Sequence, residues 1–129
     1  MDRISAALRI VISEMPPSAN AMRKSFVDKA GKIRSAKTEI YADWKEAAAW
    51  EIKGQRAGRV EGPYRVYMAF QRDWRSNRAR DLDTLIKPTM DSLVAAGVIT
   101  DDSLAEEVRA KWADNLEGPA VVVLICAAE

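Results

Sequence analysis

Along this chain the apolar residues change period, and that change restricts the fold more than any other feature. Leu8, Ile10 and Ile12 alternate with their neighbours in a run rich in β-branched residues, which is the spacing of a strand with one buried face. Pro16-Pro17-Ser18 breaks this strand and opens a long basic loop expected to reach about Ser35. From about Ala36 to Gln55 the period becomes helical. Tyr41, Trp44, Ala48 and Ile52 form a stripe with Lys45, Glu46 and Glu51 largely off it, and Gly54 and Gly58 mark its end. Tyr64 to Gln71 returns to alternation, with Val66, Met68 and Phe70 on one side. Residues 72–80 are loop by composition.

Leu85, Ile86, Thr89, Met90, Leu93 and Val94 then make a second helical stripe closed by Gly97. Pro88 suits only a first turn, so the regular helix is expected from about Lys87 or Pro88 to Ala96, after a tighter turn. Glu107 to Trp112 alternates as a strand, with Val108, Ala110 and Trp112 on one face. Asn115 to Gly118 turns the chain, and Ala120 to Ile125 is a continuous apolar strand. The expected order is βαβαββ, an α+β domain with two main helices on a mixed sheet. A length of 129 residues suits one domain spanning 1–129.

The residue inventory excludes much chemistry. There is no histidine, so histidine general bases, Ser-His-Asp and Cys-His nucleophiles and imidazole metal sites are absent. The single cysteine, Cys126, cannot form an internal disulfide or a cysteine zinc site. Its place in an apolar run reads as a buried thiol. No apolar run nears the roughly 18–20 residues of a membrane span. The first residues lack a signal-peptide pattern, which points to the cytoplasm and to no membrane partner. Any enzyme chemistry must use carboxylates, lysines, arginines or bound water, and clustered carboxylates favour Mg²⁺ or Mn²⁺.

The net charge of +1 says little about partners, but its distribution says more. Residues 23–37 carry Arg23, Lys24, Lys29, Lys32, Arg34 and Lys37 against Asp28. Residues 72–80 carry Arg72, Arg75, Arg78 and Arg80 against Asp73. Acid follows at Asp81, Asp83, Asp91, Asp101 and Asp102. Bases around an acidic cluster suit an enzyme that holds a polyanion and a cation, and a solvated surface with patchy charge would look the same. In an extended backbone Asp81 and Asp83 would face one side with Leu82 toward the core. As an isolated motif such a pair is more often a helix N-terminal cap or a solvated turn. Lys87 stands four residues from both Asp83 and Asp91, as a surface ion-pair ladder or as a cation beside a metal. Asp101-Asp102 could return to Asp81 and Asp83 or simply cap the next turn. Arg78 and Arg80 could hold phosphate bidentately.

The stretch Arg80-Asp81-Leu82-Asp83-Thr84-Leu85, then Lys87, then Asp91-Ser92-Leu93, Gly97 and Asp101-Asp102, resembles the signature of the RusA family of Holliday-junction resolvases. Pro16-Pro17-Ser18-Ala19-Asn20 resembles that family's early Pro-Pro-Ser-x-Asn. Thr84 stands where the family has Asn, Ala79 interrupts the basic run, and an aromatic expected soon after Asn20 is absent. The resemblance implies a homodimer that nicks opposing strands of DNA four-way junctions with Mg²⁺, Mn²⁺ substituting. It places the metal on Asp81, Asp83 and Asp102 and the catalytic lysine on Lys87. Arg75, Arg78, Arg80, Lys24, Lys32 and Arg34 become candidate DNA contacts, and Asp91, Asp101 and Asn20 candidate supports of the site. Two other readings stay open: a Mg²⁺-dependent hydrolase of nucleotides or small phosphate esters, and a non-catalytic dimeric DNA-binding accessory.

Overall fold

The computed structural model describes residues 7–18, 23–27, 31, 33–37, 39–74 and 81–128, with only the backbone described for 23–27 and 33–37. Its elements are β1 (Leu8–Ile12), β2 (Arg23–Val27), β3 (Ile33–Lys37), α1 (Glu39–Gln55), β4 (Tyr64–Gln71), α2 (Ile86–Ala95), β5 (Ala105–Ala113) and β6 (Val121–Ala127). Short 3₁₀ turns cover Leu82–Leu85 and Asp102–Leu104. The α+β class and the mixed sheet match the expectation.

Four strands form the main sheet in the order β1-β6-β4-β5, with β4 and β5 parallel and the other neighbours antiparallel. A parallel neighbour needs a crossover, and α2 supplies it between β4 and β5. Both helices cover one face. Ala48 and Ile52 of α1 and Met90 and Leu93 of α2 join Ile10, Ile12, Val66, Met68, Phe70, Val121, Val123 and Ile125 in one core. Each such fully buried large aliphatic or aromatic side chain contributes about 1.5–3 kcal/mol. Val122, Leu124 and Cys126 alternate onto the opposite face and are only half-buried, so Cys126 is not the buried thiol expected from its apolar surroundings.

The region assigned to a basic loop differs most. Residues 23–37 contain an antiparallel hairpin pairing Arg23 with Lys37 and Val27 with Ile33, and Gly31 takes φ 82° between the strands. The helix starts at Glu39 rather than Ala36. Its far end seals the sheet edge: Gln55 Oε1 accepts from Val11 N at 2.8 Å while Gln55 Nε2 donates to Val11 O at 2.6 Å. Glu51 likewise accepts from the Ser13 backbone N–H at 2.8 Å.

At the other helix, Pro88 falls in the first turn, where its missing N–H costs nothing. Gly97 ends α2 at φ 79°. Its N–H donates to Val94 O at 3.0 Å, and the N–H of Val98 donates to Leu93 O at 3.0 Å. This paired closure satisfies two terminal carbonyls and sends Val98 and Ile99 back into the core. The chain thereby returns to Asp101 and Asp102 beside the start of α2.

Candidate active site

Lys87 sits in the first turn of α2 with its side chain 56% exposed. Its Nζ lies 2.7 Å from Asp102 Oδ2 and 3.2 Å from Asp91 Oδ1. The other oxygen of Asp91 accepts from the Tyr41 hydroxyl at 2.6 Å. Tyr41 is 1% exposed, so its ring belongs to the core while its oxygen reaches this cluster. The helical Lys87–Asp91 ion pair expected from spacing is therefore present, and Asp102 joins it from the turn before β5.

The electrostatics follow the contacts. Hydrogen bonds to Asp102 first and Asp91 second hold the Lys87 ammonium above its ordinary pKa. The Asp102 carboxyl is held below its ordinary pKa, chiefly by the hydrogen bond from Lys87 and next by one with Asp101. Burial, then the hydrogen bond and charge of Asp91, push the Tyr41 hydroxyl up, so it stays a neutral donor.

Asp101 adopts an extended backbone and caps the 3₁₀ turn, its Oδ1 accepting from Ser103 N at 3.1 Å. Tyr64, fully buried at the start of β4, donates its hydroxyl to the Asp101 carbonyl at 3.1 Å. Burial and the nearby Asp102 and Asp101 charges push that hydroxyl up to about 12. Asp101 thus fixes the turn, and Asp102 meets Lys87.

Asp81 and Asp83 do not form the extended pair the sequence suggested. Asp81 is extended, with φ −85° and ψ 125°, but Leu82–Leu85 closes at once into a 3₁₀ turn that contains Asp83. Leu85 drives this by burying completely. Thr84 locks the turn, donating its backbone N–H and its hydroxyl to the Asp81 carbonyl at 3.1 and 2.7 Å. Where the RusA signature has Asn, Thr84 thus works on the backbone and leaves the carboxylates alone. Both carboxylates are exposed, and neither takes a hydrogen bond or ion pair from a described residue.

Among the described residues no three carboxylate or thiol side chains are gathered in an arrangement that could hold a metal ion. Asp102 is engaged by Lys87, Asp81 stands extended before the 3₁₀ turn, and Asp83 lies within it. The donor set itself is chemically suited to a hard divalent ion, being all carboxylate with no imidazole or thiolate. The 3₁₀ turn packs against both α2 and β5, which keeps the three aspartates on adjoining segments.

Of the candidate DNA contacts, Arg75, Arg78, Arg80 and Lys32 lie outside the described residues, as does Asn20. Lys24 and Arg34 lie on the hairpin strands, Lys24 opposite Ala36 and Arg34 opposite Phe26. A broad concavity of about 850 Å³ lies on the sheet face opposite the helices, lined by Arg65, Tyr67, Arg109, Lys111, Leu124 and Cys126 among others. A smaller one of about 420 Å³ lies along α1 beside Trp50. Neither is lined by Asp81, Asp83, Lys87 or Asp102. Among the described residues, the Asp81 and Asp83 carboxylates and the Lys87 ammonium are exposed, an open setting.

A family model described as endodeoxyribonuclease RusA matches residues 14–126, nearly the whole chain. The chain belongs to the RusA family. The match runs through the aspartates, Lys87, both helices and β4 and β5, so the Holliday-junction resolvase resemblance reaches well beyond the short signature, with β1 lying before the matched residues. No curated protein matches the chain. Within this RusA-family domain, Tyr41 is the residue that sequence reasoning left in the core stripe. A tyrosine at a buried stripe position needs a partner for its hydroxyl, and that requirement was the available signal.

Proposed function

We propose that this RusA-family chain is a Mg²⁺-dependent, structure-selective endodeoxyribonuclease that binds four-way DNA junctions as a homodimer. It resolves them by paired nicks during recombination and repair in the cytoplasm. The observation that carries the reading is the meeting of Lys87 with Asp102 across the helix return, with Asp81 and Asp83 left exposed at the head of the same segment.

Asp81, Asp83 and Asp102 would hold Mg²⁺, or Mn²⁺ in its place. When bound, the ion supplies Lewis acidity toward the scissile phosphate and an acidified water. The rest falls to the chain's own groups. Lys87, fully protonated at neutral pH, offers its N–H donors to a non-bridging phosphate oxygen as negative charge grows there. Water adds to phosphorus, the P–O ester bond breaks, and one strand is nicked. Arg75, Arg78 and Arg80, immediately before Asp81, together with Lys24, Lys32 and Arg34, would hold neighbouring phosphates by charge and by bidentate contact where arginine reaches.

The open setting of the acids favours a polymeric substrate over a nucleotide or small ester, which a bounded pocket would enclose. The decisive experiment incubates the protein with a labelled four-way junction, with and without Mg²⁺, beside a nucleotide-hydrolysis control. Symmetric, Mg²⁺-dependent nicking is expected. Hydrolysis of the nucleotide alone would favour the small-substrate reading, and junction binding without cleavage in any divalent ion would favour the accessory reading.

A further inference from the structure

Lys87 is a long, half-exposed side chain on the first turn of a helix, and such a chain ordinarily samples many rotamers. Immobilising it costs side-chain entropy, which fixed partners must offset. Here two carboxylates grip it from different elements, and the grip on the α2 side is itself anchored. Asp91, four residues along the same helix, is 23% exposed and spends its two oxygens on different partners. Oδ1 faces Lys87 Nζ at 3.2 Å and Oδ2 accepts from Tyr41 at 2.6 Å. Tyr41 comes from the first turn of α1, fifty residues away in sequence, and its ring is packed in the core. The Lys87–Asp102 contact therefore ends a continuous path from the buried interior of α1, through Asp91, to the reacting surface.

We propose that Tyr41 and Asp91 are positioning residues for Lys87, fixing its ammonium at the scissile phosphate through the Tyr41–Asp91–Lys87 chain of contacts. The hydroxyl holds the Asp91 carboxylate in one rotamer, and that carboxylate holds the lysine. Without the hydroxyl, Asp91 is free to turn toward solvent and Lys87 loses one of its two fixed partners. Because a misplacement of about 1 Å at a reacting group can cost ~10²-fold in rate, a partial loosening should slow chemistry while leaving substrate affinity alone. This rests on the catalytic role proposed for Lys87 above.

The test is a double-mutant cycle in the full chain on single-turnover cleavage of a four-way junction, with dissociation constants measured in parallel. Tyr41→Phe keeps the ring and deletes only the hydroxyl. It should slow cleavage about 3–10-fold at saturating junction, with affinity within about twofold of wild type. Asp91→Asn should slow it at least as much. Tyr41→Phe/Asp91→Asn should cleave no more slowly than Asp91→Asn alone, since both lie on one path. A merely structural role for Tyr41 would instead make the two losses multiply. Multiplying losses, a wild-type rate in Tyr41→Phe, or equal loss of affinity and rate would each overturn the proposal. Lys87→Ala measured alongside separates the two failures. If it is slow while Tyr41→Phe is normal, only the positioning proposal falls. If Lys87→Ala cleaves normally, the role of Lys87 falls and the proposal with it. If Tyr41→Phe does not fold, the affinity–rate split in Asp91→Asn decides.

Discussion

Lys87 Nζ and Asp102 Oδ2 lie 2.7 Å apart although fifteen residues of helix, turn and return separate them in sequence. A lysine and an aspartate at that distance neutralise one another, and in an exposed setting such a pair adds at most about 1 kcal/mol to stability. The contact is a weak reason for stability and a strong constraint on position. Lys87→Ala should therefore leave the melting temperature nearly unchanged while slowing junction cleavage by about 10²-fold or more, as for loss of one electrostatic stabiliser. Single-turnover rates beside junction affinities check this. Equal losses of both would make Lys87 a phosphate anchor instead.

Asp83 is exposed and its carboxylate takes no bond from a described residue, so replacing that side chain by one of the same shape disturbs no packing. Asp83→Asn removes a charge while keeping the shape, which should abolish Mg²⁺-dependent nicking and leave junction binding intact or slightly tighter. Gel-shift and cleavage assays on one preparation measure both. Undiminished nicking by this variant would falsify the metal role given to Asp83.

Arg78 and Arg80 precede Asp81 directly in a chain stretch whose only acid between residues 72 and 80 is Asp73. Arg78→Ala and Arg80→Ala should each weaken junction binding and flatten its salt dependence. The expected change is about one unit of log–log slope for every phosphate that the variant no longer neutralises. Binding titrations across salt concentration report this directly. Unchanged affinity and slope would leave the segment a solvated cationic turn.

The scaffold offers a separate test at Gln55, whose side chain pairs with both backbone groups of Val11 as a neighbouring strand would. Gln55→Ala removes three part-buried hydrogen bonds, two to Val11 and one to the Glu51 carbonyl, and opens the β1 edge, so stability should fall by about 1–3 kcal/mol. Urea unfolding should show a lower midpoint with an unchanged slope. Junction cleavage at low temperature should persist, because Gln55 lies at the end of α1 away from Tyr41.

Period alone located β1, β4, β6 and both helices, because each buries one face in the same core. It also located β5, whose Ala110 and Trp112 pack only partly against that core while Val108 on the same alternation is 41% exposed. It failed at β2 and β3, where basic residues such as Arg23, Lys24, Arg34 and Lys37 interrupt any apolar alternation. Period also carries no information on the insertion of β6 between β1 and β4. At the site, the spacing Asp81–Asp83 looked extended, yet burial of Leu85 and the Thr84 hydroxyl fold it into a turn. The Lys87–Asp91 pair was legible as i,i+4 spacing. The link to Tyr41 was not, since it depends on how α1 packs against α2.

Assembly is constrained by the substrate proposed above. A four-way junction has two-fold symmetry, and resolving it needs cuts on two opposing strands. Each chain carries one Lys87–Asp102 cluster, and so one cut. A C₂ pair would place two such clusters about the junction's own axis through a single self-complementary interface. Of the four tryptophans, Trp44, Trp74 and Trp112 pack against the core, whereas Trp50 is 73% exposed, so large apolar surface remains after the domain is closed. The protein should therefore sediment as a dimer at micromolar concentration without DNA. In that dimer, mixing wild-type chains with excess Asp83→Asn chains should yield junctions nicked on one strand only. A lone 14.3 kDa species, with or without junction, would contradict the paired-cut mechanism, because one chain has no second cluster to reach the opposing strand.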